Sequence, residues 1–222
     1  MKDMIEMQPG LMGLDRFDIY RIHNVWDAPK WTEELEKYFE GREDVPMIGV
    51  SNHDLAEIKQ AAEILGAHGL KLSAVQNHYS LIDRSSENSG ILDNCKENGI
   101  TFFSYMVPEQ GALSGKYDTA HPMPAGSARA DSYDPIIDKP EVMNKALGKI
   151  ADKYGAGIVQ VPVAWAIAKG TLPIIGVTKV SNVEDAVKAA NITLTADEVA
   201  ELESVADVPG LNVIRFWEKE MK

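Results

Sequence analysis

The chain holds 222 residues, 45% of them hydrophobic, with one cysteine and a formal net charge of −12. That length suits one large domain or two small ones with a sizeable core. Cys95 stands alone, which excludes a disulfide framework and a cysteine-cluster zinc site, and the acidic balance argues against a nucleic-acid partner while leaving room for a small anion in a local basic pocket.

In chain order, Phe17–Val25 ("FDIYRIHNV") reads as the first strand and carries His23 near its C-terminal end. "APKWTEELEKYFE" follows as a helix, with Trp31, Leu35, Tyr38 and Phe39 at helical spacing. "VPMIGVSN" is the second strand, and "DLAEIKQAAEILGAHG" a helix closed by glycine. "LKLSAVQNHYSL" is the third strand, "SSENSGILDNCKENG" a short helix and "ITFFSYMV" the fourth strand. Residues 108–140 read as a long polar loop, a length often reserved for lids or mobile segments. Helical patterns return in "EVMNKALGKIADKYG" and "IVQVPVAWAIAKG". "LPIIGVT", Leu172–Thr178, is the fifth strand, and "VEDAVKAAN" and "TADEVAELESVA" are the last helices. Thr195 with Glu198 three residues on makes a capping box. Strands alternating with helices imply βαβ units and a parallel sheet. No linker divides the chain, so a single domain over 1–222 is expected. No apolar run reaches the ~18 residues of a membrane span. "MKDMIEMQPG" has no signal-peptide core. A cytoplasmic setting is therefore expected, with no membrane partner.

Chemistry-bearing residues cluster at the ends of these strands, where parallel α/β folds bind ligands. Ser51 and Asn52 end the second strand, although Asn52 or Asp54 could instead cap the next helix. Gln76 ends the third strand, either reading a ligand amide or serving as a satisfied core amide. Tyr105 ends the fourth, as a stacking face or as ordinary packing. "QGALSGKY" brings glycines and Lys116 together without Walker spacing. Gly176 precedes a helix start with Lys179 beside it, a ready anion site.

Taken together, "DIYRIHN", "IGVSN", "AVQNHYSL", "LDNCKENGI", "GALSGKY", "VAWAIAKG", "IIGVTKVSNVEDAVKA" and "LTADEVAEL" resemble the aldo-keto reductase family from about Gly13 to Asp207. The resemblance implies a (β/α)8 barrel enzyme that moves a hydride between a nicotinamide cofactor, usually NADP(H) with NAD(H) the other option, and a small carbonyl substrate. It implies that His23 orients and polarises the carbonyl and that Ser51, Asn52 and Gln76 hold the nicotinamide carboxamide. Tyr105 would stack on the nicotinamide ring, and Lys116 would lie beside the pyrophosphate. Gly176, Thr178, Asn182 and Asp185 would surround the adenosine end, with Lys179 a candidate partner for a 2′-phosphate.

Met106 and Ala186 depart from the family's frequent serine and asparagine. Arg21 should share a face with His23 by strand alternation. The family's tetrad of Asp, Tyr, Lys and His finds only its histidine here, as His23. Five strand candidates stand against eight in a full barrel. The expectation is an incomplete α/β barrel of TIM type, with about five parallel strands, outer helices and the first three units absent. Impaired activity is expected from it alone. The alternatives are a non-catalytic nucleotide- or partner-binding module, or one part of a split enzyme. Open sheet edges at the first and fifth strands, and inward residues such as Ile19 and Val50 left exposed, imply a homo-oligomer.

Overall fold

The structure, a computed structural model, describes residues 1–23, 27–207, 213, 218, 219 and 221. Its first half runs α1 (Lys2–Leu11), β1 (Ile19–His23), α2 (Ala28–Phe39), β2 (Met47–Ser51), α3 (Leu55–Gly66), β3 (Leu72–His78), α4 (Ser85–Asn88), α5 (Ile91–Glu97) and β4 (Thr101–Tyr105). A 3-10 turn (Glu109–Ser114) leads to α6 (Ala128–Tyr133), a second 3-10 turn (Asp134–Ile136), α7 (Asp138–Tyr154), α8 (Gln160–Ala168), β5 (Leu172–Pro173), α9 (Val180–Ala190) and α10 (Ala196–Ala206). The strand order is β1-β2-β3-β4-β5. β1 on β2, β2 on β3 and β4 on β5 are parallel. The expected five parallel strands with interleaved helices are present.

Three segments differ from expectation. The first strand is Ile19–His23 rather than Phe17–Val25, and Asn24 and Val25 lie outside the described residues. The fifth strand shrinks to Leu172–Pro173 because Pro173 has no N–H for the ladder; Ile174 gives one last bond to the Ser104 carbonyl (2.8 Å). Residues 108–140 are not one long loop. Ser127 caps α6 by accepting from the Ala130 amide (3.2 Å), and Pro135 sits in the first turn of the next 3-10 segment, where its fixed φ fits.

Contacts divide the chain into two compact units, one of Met1–Asn77, Ser86–Phe102 and Trp217–Lys222, the other of His78–Ser85 and Phe103–Phe216. In the first unit α2 and α3 pack against each other, and Leu35 and Phe39 on α2 and Ile58 and Leu65 on α3 are buried. Asp54 caps α3 in a reciprocal box with Glu57, which frees Asn52 from the capping role. Val50, expected to be exposed, is fully buried, and Ile19 is half-buried. β2 has a strand on each side, and the register partners of Val50, Ile22 and Val75, are themselves buried. Arg21 is half-buried as well, and burial lowers its pKa from the free value.

The second unit is built on Trp165, Tyr79, Tyr133, Leu113, Met143 and Leu147, all fully buried. Tyr79 stacks on Trp165 with centroids 5.0 Å apart, and the Trp165 indole donates to Glu203 (3.1 Å). The capping box of α10 forms as expected. The Glu198 amide donates to Thr195 Oγ1 (3.2 Å), and the Thr195 amide donates back to the Glu198 carboxylate (2.9 Å). Among the described residues no helix is long and apolar enough to cross a membrane.

Gly49 shows how tightly β2 is held. A Cβ there would lie 2.7 Å from Arg21 Cγ and 2.9 Å from both Ala74 Cβ and the Ala74 carbonyl oxygen. Backbone on one side leaves no room to yield. Gly49→Ala is therefore expected to lower stability by about 1–3 kcal/mol, the usual cost of overpacking a core. Urea unfolding checks this, and a change within about 0.5 kcal/mol, as at an ordinary surface site, would contradict it.

Candidate functional site

In the first unit the strand register sets His23 beside Ser51, and Ser51 beside Gln76. His23 is exposed, Ser51 fully buried and Gln76 half-buried. Asn52 adopts φ +59°, a left-handed conformation that asparagine tolerates better than most side chains. Its amide donates to the Gln76 carbonyl (3.0 Å), and its side chain donates to Ser51 Oγ (3.3 Å). Asn77 fixes the same turn from β3. It accepts from the His53 amide (3.2 Å) and donates to the His53 carbonyl (2.8 Å). The His53 ring is buried and hydrogen-bonds the Ser51 carbonyl through Nδ1 (2.9 Å). Burial lowers its pKa, against that hydrogen bond. His23, Ser51, Asn52 and Gln76 thus share the C-terminal end of β1–β3, on a backbone locked by His53 and Asn77.

The second unit holds a cleft of about 670 Å³, within the range of small-molecule sites. Tyr105, Lys116, Gly176, Thr178, Lys179, Asn182 and Asp185 all line it, although they come from segments 80 residues apart in sequence. Asn182 organises the start of α9, since its Oδ1 accepts from the amides of Thr178 (3.2 Å) and Lys179 (3.1 Å). Gln160 donates to Asp185 (2.9 Å). Lys116 lies over the Tyr117 ring at 5.1 Å. Arg129 also lines the cleft and donates to the Gln110 carbonyl (3.4 Å). Lys116, Arg129 and Lys179 face one carboxylate, Asp185, among the lining residues. In a chain of net charge −12 this is a local reversal of sign. Arg129 and Gln160 were not among the residues singled out from the sequence. The signal for Arg129 is Ser127, an N-cap two residues before it in a stretch that otherwise reads as loop.

One wall of the cleft is conformationally unusual. Among the described residues, Met106 (φ +62°), Glu109 (φ +46°) and Gln110 (φ +53°) join Asn52 as the non-glycine residues with positive φ. Such strain needs an anchor, and Glu109 provides it. Its side chain is fully buried and accepts from His78 Nε2 (2.7 Å), Ser80 Oγ and the Tyr133 hydroxyl. The opposite face of His78, at Nδ1, lies 3.4 Å from Asp83, and its ring stacks on Tyr105 with centroids 5.6 Å apart. Burial pushes Glu109 up, but the charge on His78 and the three hydrogen bonds outweigh it and hold the carboxyl below the usual range. His78 belongs to the motif "AVQNHYSL", but its partner lies 31 residues on, beyond any local pattern.

A family model described as the aldo/keto reductase family matches residues 4–207. The chain belongs to that family. Among curated relatives, the chloroplastic pyridoxal reductase of Arabidopsis thaliana is 34% identical over 176 residues, covering 79% of this chain and 47% of that protein. The aldo-keto reductase yakc of Schizosaccharomyces pombe, whose name carries NADP(+), is 29% identical over 207 residues, 88% of this chain and 59% of that protein. The chain thus spans about half to three fifths of the length of these reductases. A glycerol dehydrogenase from Gluconobacter oxydans shares the fold at a TM-score of 0.80 and 19% identity, over 92% of this chain and 62% of that one. This aldo-keto reductase chain therefore has a fold consistent with part of a (β/α)8 barrel.

Glu109→Gln is expected to cost about 3–5 kcal/mol, because it strips the charge facing a buried His78. The wild type should also lose stability as pH falls. Its native carboxyl titrates below the unfolded value, so the unfolded chain binds the proton first, and the Glu109 contribution disappears as pH drops through the native pKa. Denaturant melts between neutral pH and pH ~3 test this. A difference between wild type and variant that stays constant across that range would contradict it.

Proposed function

We propose that this chain carries the cofactor-binding part of an NADP(H)-dependent carbonyl reductase. The carrying observation is the basic cleft of the second unit. It gathers Tyr105, Lys116, Arg129, Lys179 and the α9 start around Gly176, Thr178, Asn182 and Asp185. In this reading Tyr105 offers a flat face to the nicotinamide ring. Its tilt is set by stacking on His78, which Glu109 holds. Lys116 and Arg129 neutralise the pyrophosphate. The positive end of the α9 dipole, with Lys179 beside it, receives an anion. Asp185, steadied by Gln160, accepts from an amine or hydroxyl of the adenosine. Lys179 meets the 2′-phosphate and favours NADP(H) over NAD(H).

In the first unit Ser51, Asn52 and Gln76 supply the donors and acceptors suited to a carboxamide. His23 is suited to hydrogen-bond the carbonyl of a small aldehyde or ketone. The cofactor, when bound, supplies the hydride. A carbonyl accepting that hydride also needs a proton at oxygen, a task the family gives to a tyrosine tuned by lysine and aspartate. Of that set His23 alone has a counterpart in these residues, so the 222 residues by themselves should turn over slowly if at all. The reading further includes self-association through the outer strands β1 and β5, which end the strand order, and a cytoplasmic setting that suits the buried Cys95 thiol.

Fluorescence titration with NADPH and NADH tests the binding claim. Saturable NADPH binding is expected, weakened about threefold to tenfold in Lys116→Ala and Arg129→Ala, with the preference over NADH lost in Lys179→Ala. Carbonyl-dependent NADPH oxidation on the same sample should stay far below the ~1 s⁻¹ of ordinary enzymes, and sedimentation should show an oligomer. Absence of saturable NADPH binding would overturn the reading. Normal turnover abolished in His23→Ala would replace it with a competent enzyme that uses His23 as its acid, and a stable monomer would remove the assembly claim.

A further inference from the structure

The first unit carries a second constellation, unrelated to the cofactor reading. Glu36 lies in the last turn of α2, Glu40 is the residue that ends that helix one turn on, and His68 lies just after α3. Residues at i and i+4 share a helix face, so both carboxylates meet the same neighbour. Glu36 Oε1 and Glu40 Oε1 each lie 3.0 Å from one atom, His68 Nδ1. All three donor atoms fall within 4.8 Å of one another.

One ring N–H cannot serve two carboxylates. The hydrogen bond goes to Glu40. Glu36 Oε1 is sealed from solvent without a hydrogen-bond partner, in a residue only 3% exposed. A buried carboxylate oxygen left without a donor is costly and calls for a counter-charge. Glu33 and Glu63 line the same depression and add negative charge, with Lys37 the cation on its rim. Ligands ~2.1 Å from a tetrahedral zinc stand about 3.4 Å apart, so each carboxylate oxygen, now 3.0 Å from His68 Nδ1, has only a few tenths of an ångström to shift.

We propose that Glu36, Glu40 and His68 form a binding site for a divalent transition-metal cation of the zinc class. The ion replaces the Nδ1 proton, takes one nitrogen and two carboxylate oxygens, and completes its shell with water. An imidazole nitrogen in the set favours zinc and its first-row neighbours over magnesium or calcium, which prefer oxygen alone. Because α2 and α3 pack together, the ion would tie their ends.

The test is calorimetric titration of the metal-free full chain with Zn²⁺ alone, paired with thermal melts. One saturable equivalent is expected, with a Zn²⁺-dependent rise in melting temperature. His68→Ala and Glu40→Gln should each weaken binding at least tenfold. Both side chains are largely exposed, at 39% and 59%, so these variants should keep the fold, as circular dichroism would verify. His121→Ala, which removes the exposed His121–Asp118 pair, should bind as wild type. Absence of saturable binding, wild-type affinity in His68→Ala, or loss of binding in His121→Ala would each overturn the proposal and leave the trio a simple ion pair.

Discussion

A carboxylate sealed from water is the constraint on which the second unit depends. Glu109 cannot stay charged inside the protein unless donors surround it. His78 and Ser80 supply two from one segment, and Tyr133 supplies a third from α6. Satisfying that one group therefore fixes three stretches of chain at once. It holds Met106, Glu109 and Gln110 in positive φ, and Met106 and Gln110 line the cleft. It also fixes the His78 ring, against which Tyr105 stacks. Asn144 on α7 adds a bond to the Ala112 carbonyl (2.9 Å) and secures the far end of the same turn. The cleft wall is rigid because its anchor is expensive to leave unsatisfied.

The fold was largely legible because its elements advertise themselves locally. Val50 and Val75 sit in short apolar runs bounded by polar turns, and Thr195 with Glu198 announces a helix start. The failures also have local causes. Leu172–Thr178 looks like a strand by composition, yet Pro173 breaks the ladder. Residues 108–140 look like loop because Gly, Pro and Ser dominate, while Ser127 starts a helix within them. Val50 belies the expectation of an open inward face, because β2 is an inner strand and its register partners Ile22 and Val75 are buried with it.

The site was legible as residue types at strand ends, and the structure brings most of those residues into two groups. His23, Ser51, Asn52 and Gln76 share strand ends in one unit, while Tyr105, Lys116, Gly176, Thr178, Lys179, Asn182 and Asp185 share the cleft in the other. What could not be read were pairs made only by folding. Glu109 with His78, Arg129 with Lys179 in one cleft, and Glu36 with His68 are each separated by tens of residues, and no periodicity links them. Asn77 is the clearest case, an unremarkable strand asparagine that locks the Asn52–His53 turn from a neighbouring strand.

The central claim is that the basic cleft of the second unit receives the dinucleotide. Amide hydrogen exchange with and without NADP⁺ tests it most directly, because it reports where ordering occurs without requiring turnover. The account predicts slowed exchange in residues 105–117 and 174–186 and none in α2. Saturating NADP⁺ that leaves 105–117 and 174–186 unchanged, or protects other segments in their place, would contradict it.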